Sequence, residues 1–177
     1  MINNSSKNCI KDDDLRLIVN IEKQILSVYQ NDKEIAHYDI STAKNGVGSQ
    51  QDSGCTPLGE HVIAEKIGGD YSINAVFIGR VPTGEIYSEI LGKQYPERDW
   101  ILSRILWLAG LEEGINKGSN EQGSCDTYQR YIYIHGTPDS EPMHMPRSHG
   151  CIRMRNQDII KLFEQVKEGT AVNIIAC

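Results

Sequence analysis

The sequence predicts a single, mostly β domain with one or two helices. Three observations carry that prediction. Apolar residues alternate with a period of two through the first third of the chain. Clusters of Gly, Asn, Asp and Ser separate short runs, as turns between strands require. The clearest stripe at helical spacing lies near the C-terminal end. A length of 177 residues suits one domain, and 39% hydrophobic with 24% charged residues permits a sizeable core. The domain is expected over 15–177, after an N-terminal tail at 1–14.

Taken in order, Leu15, Leu17 and Val19 alternate with Arg16, Ile18 and Asn20, and 24–30 and 34–40 repeat the pattern. The tight-turn sequence Gln30-Asn31-Asp32-Lys33 separates the last two, so the opening reads as an antiparallel meander. From Ser41 to Gly59 a polar, glycine-containing stretch predicts a long loop of the functional or mobile kind, ending in Thr56-Pro57-Leu58-Gly59. Residues 60–67 and 72–80 read as further strands. Residues 99–111 place Trp100, Ile101, Ile105, Leu108 and Leu111 at spacings that predict a short helix. A loop is expected over 112–127, then a strand over 128–135 with Tyr131, Tyr133 and His135 on one face. That tyrosine face reads as core packing more readily than as substrate contact. Asn156 is placed to cap a helix bearing Ile159, Leu162, Phe163 and Val166, which Gly169 stops before a closing strand at 170–175.

Charge and cysteine usage narrow the function classes. Lys and Arg number 18 against 24 Asp and Glu, a formal net charge of −6. Without a basic tract, there is no electrostatic footprint for nucleic acid or an anionic membrane. No window approaches a membrane span; the nearest, Trp100 to Gly110, is short and carries Arg104. Residues 1–15 show none of the features of a secretory signal, so a cytoplasmic protein is expected. The alternative is a periplasmic protein whose signal has been removed. The five cysteines (Cys9, Cys55, Cys125, Cys151 and Cys177) are odd in number and lack CxxC spacing, which argues against a disulfide framework.

The chemistry concentrates in Ile134-His135-Gly136-Thr137 and Pro146-Arg147-Ser148-His149-Gly150-Cys151-Ile152-Arg153-Met154. A thiol becomes a nucleophile when an imidazole takes its proton, and both His135 and His149 are candidates for that role. Gly150 permits backbone geometries that would aim consecutive amides at an oxyanion. Arg147, Arg153 and Arg155 form a local basic island, with no Asp or Glu from Pro142 to Gln157, suited to an anionic substrate. An extended segment after Gly150 would put Cys151 and Arg153 on one face, where the guanidinium could hold a carboxylate. Two blander readings compete. A cysteine after glycine is often a small buried hydrophobe. Cys125, His135, His144, His149 and Cys151 could alternatively ligate zinc, although the cysteines lack the paired spacing of structural zinc sites. The other four cysteines, His37 and His61 are read as structural or surface residues.

His135-Gly136 followed by Ser148-His149-Gly150-Cys151-Ile152-Arg153 resembles the active-site signature of the YkuD-type L,D-transpeptidases. Thr56-Pro57-Leu58-Gly59, the opening strands and the helix after Asp158 are similar to that family as well, with 85–126 the least alike. The resemblance implies a mostly β, YkuD-like catalytic fold and acyl transfer on peptidoglycan stem peptides, at the bond between the L-centre of a diamino acid and a D-residue. It implies Cys151 as nucleophile, His135 as general base, and the Gly136 carbonyl as the group that orients the imidazole. Amides around His149, Gly150 and Cys151 would form the oxyanion hole, Ser148 and His149 would shape the site, and Arg153 would support substrate or loop. No metal or organic cofactor is implied.

The same residues serve two acceptors. Attack by an amine of a second stem gives a 3-3 cross-link; attack by water makes an L,D-carboxypeptidase. With a cytoplasmic location expected, the sequence favours hydrolysis of tetrapeptides on muropeptides during peptidoglycan recycling. The alternatives are an exported cross-linking enzyme and an inactive wall-binding module, the last disfavoured by the intact His135/Cys151 pair.

Overall fold

A computed structural model describes residues 15–177; the expected tail at 1–14, with Cys9, lies outside the described residues. The opening meander forms as expected. Leu15–Asn20 (β1), Ile25–Gln30 (β2) and Lys33–Ser41 (β3) pair antiparallel in succession, with Leu17 opposite Val28 and Leu26 opposite Tyr38. Asn31 and Asp32 adopt φ of 49° and 62°, a two-residue left-handed turn whose twist suits a hairpin. Leu17, Val19, Leu26, Val28 and Ile40 face the core.

Next come Gly59–Ile67 (β4), Ala75–Ile78 (β5), Val81–Ile86 (β6), the short helix Glu89–Gln94 (α1) and Ile101–Gly110 (β7). The helix expected at 99–111 is therefore a strand. The physical reason is burial on both faces: Leu102 through Leu108 are all buried, so the segment shows no polar alternation. Periodicity alone cannot separate such a run from a buried helix. α1 was not foreseen; the side chain of Ser88 caps it, accepting from the Leu91 amide at 3.2 Å.

A two-stranded ribbon, Ser119–Asn120 (β8) with Gly123–Ser124 (β9), sits within the expected loop. Tyr133–Thr137 (β10), Ile152–Arg155 (β11), Asn156–Gln165 (α2) and Ala171–Ile175 (β12) complete the chain. The strand expected at 128–135 begins only at Tyr133, because Tyr131 has φ of 57° and ends a turn. Asn156 opens α2, but no side chain caps that helix and the N-cap position falls to Arg155.

The main sheet runs β10-β11-β3-β2-β1-β12-β4-β7-β5-β6, and a further pairing of β10 with β7 closes eight of these strands into a ring. The β5–β6 hairpin extends from β7. Ile159 and Leu162 of α2, with Val166 just past its end, pack into the main core, and α2 lies against β7, β10 and β11. Opposite His135 and Gly136 the register of β7 skips from Ile105 to Leu102, and Ser103 has φ of 66°. This is a β-bulge, the local device that re-aims side chains beside active sites.

Candidate active site

The site forms where β10 and β11 run parallel. His135 pairs with Arg153 and Ile134 with Ile152, so the residue before β11, Cys151, comes level with Tyr133. Side chains at matched positions share a face, so Tyr133, His135, Cys151 and Arg153 converge on one side of the sheet. Cys151 Sγ accepts from the Tyr133 amide and donates to the Tyr131 carbonyl, both at 3.4 Å. The thiol sits in a cavity of about 510 Å³, whose wall includes Arg80, Asp99, Tyr131 and His149.

His135 is fully buried. Its Nδ1 lies 2.8 Å from the Gly136 carbonyl. A carbonyl only accepts, so Nδ1 carries the proton and Nε2 is left as the basic nitrogen. Nε2 has no hydrogen-bond partner among the described residues. His149, the other candidate base, is largely exposed, with Nδ1 3.9 Å from Asp99 Oδ2.

Burial shapes both ionisations. Desolvation lowers the His135 pKa below its ordinary 6.5, with Asp99 acting in the opposite direction. Desolvation pushes the Cys151 thiol up to about 12, against the Tyr133 amide, which lowers it. The resting pair is thus a neutral thiol beside a neutral imidazole. Such a pair reacts by moving the thiol proton to the base as the sulfur attacks.

The block before Cys151 is fixed from several sides. The Arg147 and Ser148 amides donate to the Thr42 carbonyl at 2.8 and 2.9 Å. Ser148 Oγ donates to the Cys151 carbonyl at 2.5 Å and accepts from the Gly150 amide at 3.2 Å. Thr56 Oγ1 donates to the Gly150 carbonyl at 2.9 Å, which ties the Thr56-Pro57-Leu58-Gly59 segment to the site. Gly150 has φ of 139°, where a Cβ would meet Ile132 Cδ1 at 3.0 Å. Since its amide is engaged by Ser148, oxyanion stabilisation would fall to its neighbours or need that hydroxyl to turn.

Gly136 has a different reason to lack a side chain: a Cβ there would lie 2.5 Å from both Asn156 Oδ1 and the Leu102 carbonyl. Asn156 is itself held, donating to the Thr137 carbonyl at 2.8 Å and accepting from Ser103 Oγ at 2.6 Å. The residue expected to cap a helix instead anchors the strand that carries His135.

Arg153 is 7% exposed and already paired, with Nη2 2.7 Å from Asp99 and Nη1 3.4 Å from Glu141. Arg155 donates to the Asp139 and Glu141 carbonyls. The basic island of the sequence is therefore met in space by acceptors from outside it. Tyr133 is buried, as core packing requires, but Tyr131 is 52% exposed and lines the cavity beside Cys151. The long loop is packed down rather than loose: Arg130 donates to the Gly48 and Cys55 carbonyls and to Ser53 Oγ. The zinc alternative loses its members. His144 pairs with Asp39 at 2.9 Å, Cys125 donates to the Lys117 and Gly118 carbonyls, and no metal-holding group of three or more occurs among the described residues. Sequence reasoning missed Arg80, Asp99 and Arg130. No local motif marks them; only the folded register brings them to the thiol.

Comparison with known proteins agrees with this fold. The YkuD family model, an L,D-transpeptidase catalytic domain, matches residues 14–174. The chain is 44% identical over 57 residues to the probable L,D-transpeptidase YbiS of Escherichia coli K12, covering 32% of this chain and 19% of YbiS. It is 48% identical over 48 residues to the probable L,D-transpeptidase YcfS of the same strain, covering 27% of this chain and 15% of YcfS. It thus matches less than a fifth of these relatives' length. Among solved structures, Bd1075 of Bdellovibrio bacteriovorus aligns over 92% of this chain and 48% of its own, with a TM-score of 0.57 at 20% identity. An L,D-transpeptidase from Mycobacterium smegmatis aligns over 92% of this chain and 59% of its own, with a TM-score of 0.54 at 14% identity. At these identities the structural likeness speaks for the fold.

Proposed function

Because the chain belongs to the YkuD family of L,D-transpeptidase catalytic domains, we propose that it transfers acyl groups of peptidoglycan stem peptides through Cys151, with water as the final acceptor. One observation carries the reading. A buried imidazole has its tautomer fixed by the Gly136 carbonyl and its other nitrogen unpartnered, on the sheet face that holds a thiol at the floor of a cavity.

His135 Nε2 takes the Cys151 proton as sulfur attacks the carbonyl that follows the L-centre of the diamino acid. Backbone amides at the Cys151 turn receive the developing oxyanion. The C–N bond breaks, His135 returns its proton to the departing D-residue amine, and a thioester remains. Water then gives its proton to His135 and attacks the thioester. The C–S bond breaks and the proton returns to sulfur.

His135 Nε2 and Arg153 Nε, buried and without a hydrogen-bond partner among the described residues, leave the base free to activate water or an amine, and water is the acceptor proposed. On this reading the enzyme is an L,D-carboxypeptidase releasing D-alanine from tetrapeptides in cytoplasmic recycling. The competing reading, an exported enzyme forming 3-3 cross-links, is favoured by the likeness to proteins named probable L,D-transpeptidases.

Incubation with a disaccharide tetrapeptide, followed by mass spectrometry, separates them. Loss of one D-alanine is expected; formation of dimers without that loss overturns hydrolysis. Cys151→Ala is expected to lower turnover by about a thousandfold or more while leaving the fold intact.

A further inference from the structure

Three arginines stand around the thiol, and they differ in what already occupies them. Arg153 is held by Asp99 and Glu141. Arg130 spends its guanidinium on two carbonyls and a hydroxyl of the long loop. Arg80 has no carboxylate partner among the described residues. Its guanidinium lies over the Trp107 ring at 4.5 Å and the Tyr131 ring at 4.6 Å, and Nη1 donates to Tyr133 Oη at 3.0 Å. The remaining N–H groups of the fork are uncommitted.

The position is built. Gly79 and Arg80 are the two left-handed residues (φ 53° and 69°) at the tip of the β5–β6 hairpin. A non-glycine residue pays for that conformation, and such strain concentrates at functional positions. The aromatic rings fix the plane of the guanidinium without consuming its hydrogen-bonding edge. Arg80 also lines the Cys151 cavity of about 510 Å³ and an adjoining one of about 580 Å³.

Resting on the stem-peptide reading above, we infer that Arg80 is the residue that reads the carboxylate of the peptide's C-terminal D-residue. The chemistry asks for such a receptor nearby. A one-residue leaving group ends about 3.5 Å of chain beyond the scissile bond, so its carboxylate enters the nucleophile's own cavity. A planar guanidinium with a free edge matches that group in a bidentate manner. Arg153, which the sequence singled out for the task, has its fork turned to Asp99 and Glu141.

Binding to the Cys151→Ala protein, measured by calorimetry, tests the assignment without turnover. The ligands are a tetrapeptide with a free C-terminal carboxylate, its C-terminal amide, and a tetrapeptide amidated instead on the diamino acid's side-chain carboxylate. The free acid is expected to bind about tenfold to a hundredfold more tightly than the C-terminal amide. Adding Arg80→Gln should abolish that preference, and Arg80→Lys should keep part of it. A purely structural role, through the contacts with Trp107 and Tyr131, would weaken all three ligands alike, which overturns the inference. If Arg80→Gln fails to weaken only the peptide amidated on the diamino acid, the carboxylate read is that one, and the terminal assignment is overturned. Equal binding of acid and amide to the Cys151→Ala protein removes Arg80's role alone. Failure of every ligand to bind overturns the stem-peptide reading and the inference with it.

Discussion

The floor and the rim of the Cys151 cavity obey different physics. The floor, a buried layer behind the residues that line the cavity, is His135, Gly136, Ser148 and Asn156, held by backbone or side-chain hydrogen bonds at 2.5 to 3.2 Å. The rim is Arg80, Asp99, Tyr131 and His149, partly or largely exposed and held by ring faces and ion pairs. The floor fixes protons and distances at the cost of desolvating them. The rim keeps its charges in reach of a ligand. With the roles proposed above, one site divides chemistry from recognition by depth.

The largest effect that would break this contrast concerns the thiol. With its pKa pushed from 9.0 to about 12 by burial, Cys151 should be alkylated by iodoacetamide about a thousandfold more slowly near pH 8 than a free cysteine with the same intrinsic reactivity. The rate should climb well beyond the ordinary thiol range. A midpoint near 8.5 would mean the floor is wet. The base titrates in the opposite direction. His135 must be neutral to accept a proton, and desolvation lowers its pKa, so turnover should hold down to pH 6.5 and be lost only below it.

A smaller effect tests the rigidity of the floor. Gly136→Ala drives a methyl against Asn156 and the Leu102 carbonyl, both fixed. It should cost about 2 to 3 kcal/mol in urea unfolding and depress turnover by misplacing His135. Smallest is a change at the rim. Tyr131→Ala removes one of the two rings that Arg80 lies over and should cost under about 1 kcal/mol of stability. If it costs as much as Gly136→Ala, the division between floor and rim fails.

The same division explains what the sequence could disclose. The meander and α2 were legible because each follows a local rule, alternation with a turn for one and a 3.6-residue stripe for the other. His135 and Cys151 were legible because their chemistry and signature lie within two short segments. β7 was not, since a strand buried on both faces loses the alternation that marks strands. Asn156 obeyed a capping rule on paper, yet Ser103 and Thr137 claim its side chain from 53 and 19 residues away. Arg153 stands in a stretch free of acids, but Asp99 reaches it across 54 residues. The rim in general is assembled from distant segments, so no window of sequence contains it.

The closed ring of strands also bears on how the molecule comes into being. β1 sits beside β12, with Arg16 level with Ala171, and β3 meets β11, with Ser41 level with Arg153. Closing loops of that length costs entropy before any contact repays it, and chains dominated by distant pairings fold slowly. Tyr133 comes level with Cys151 only once β10 has joined β11, and His135 is backed by the β7 bulge only once β10 has joined β7. Catalytic competence is therefore among the last properties the chain acquires, later than the local meander and α2.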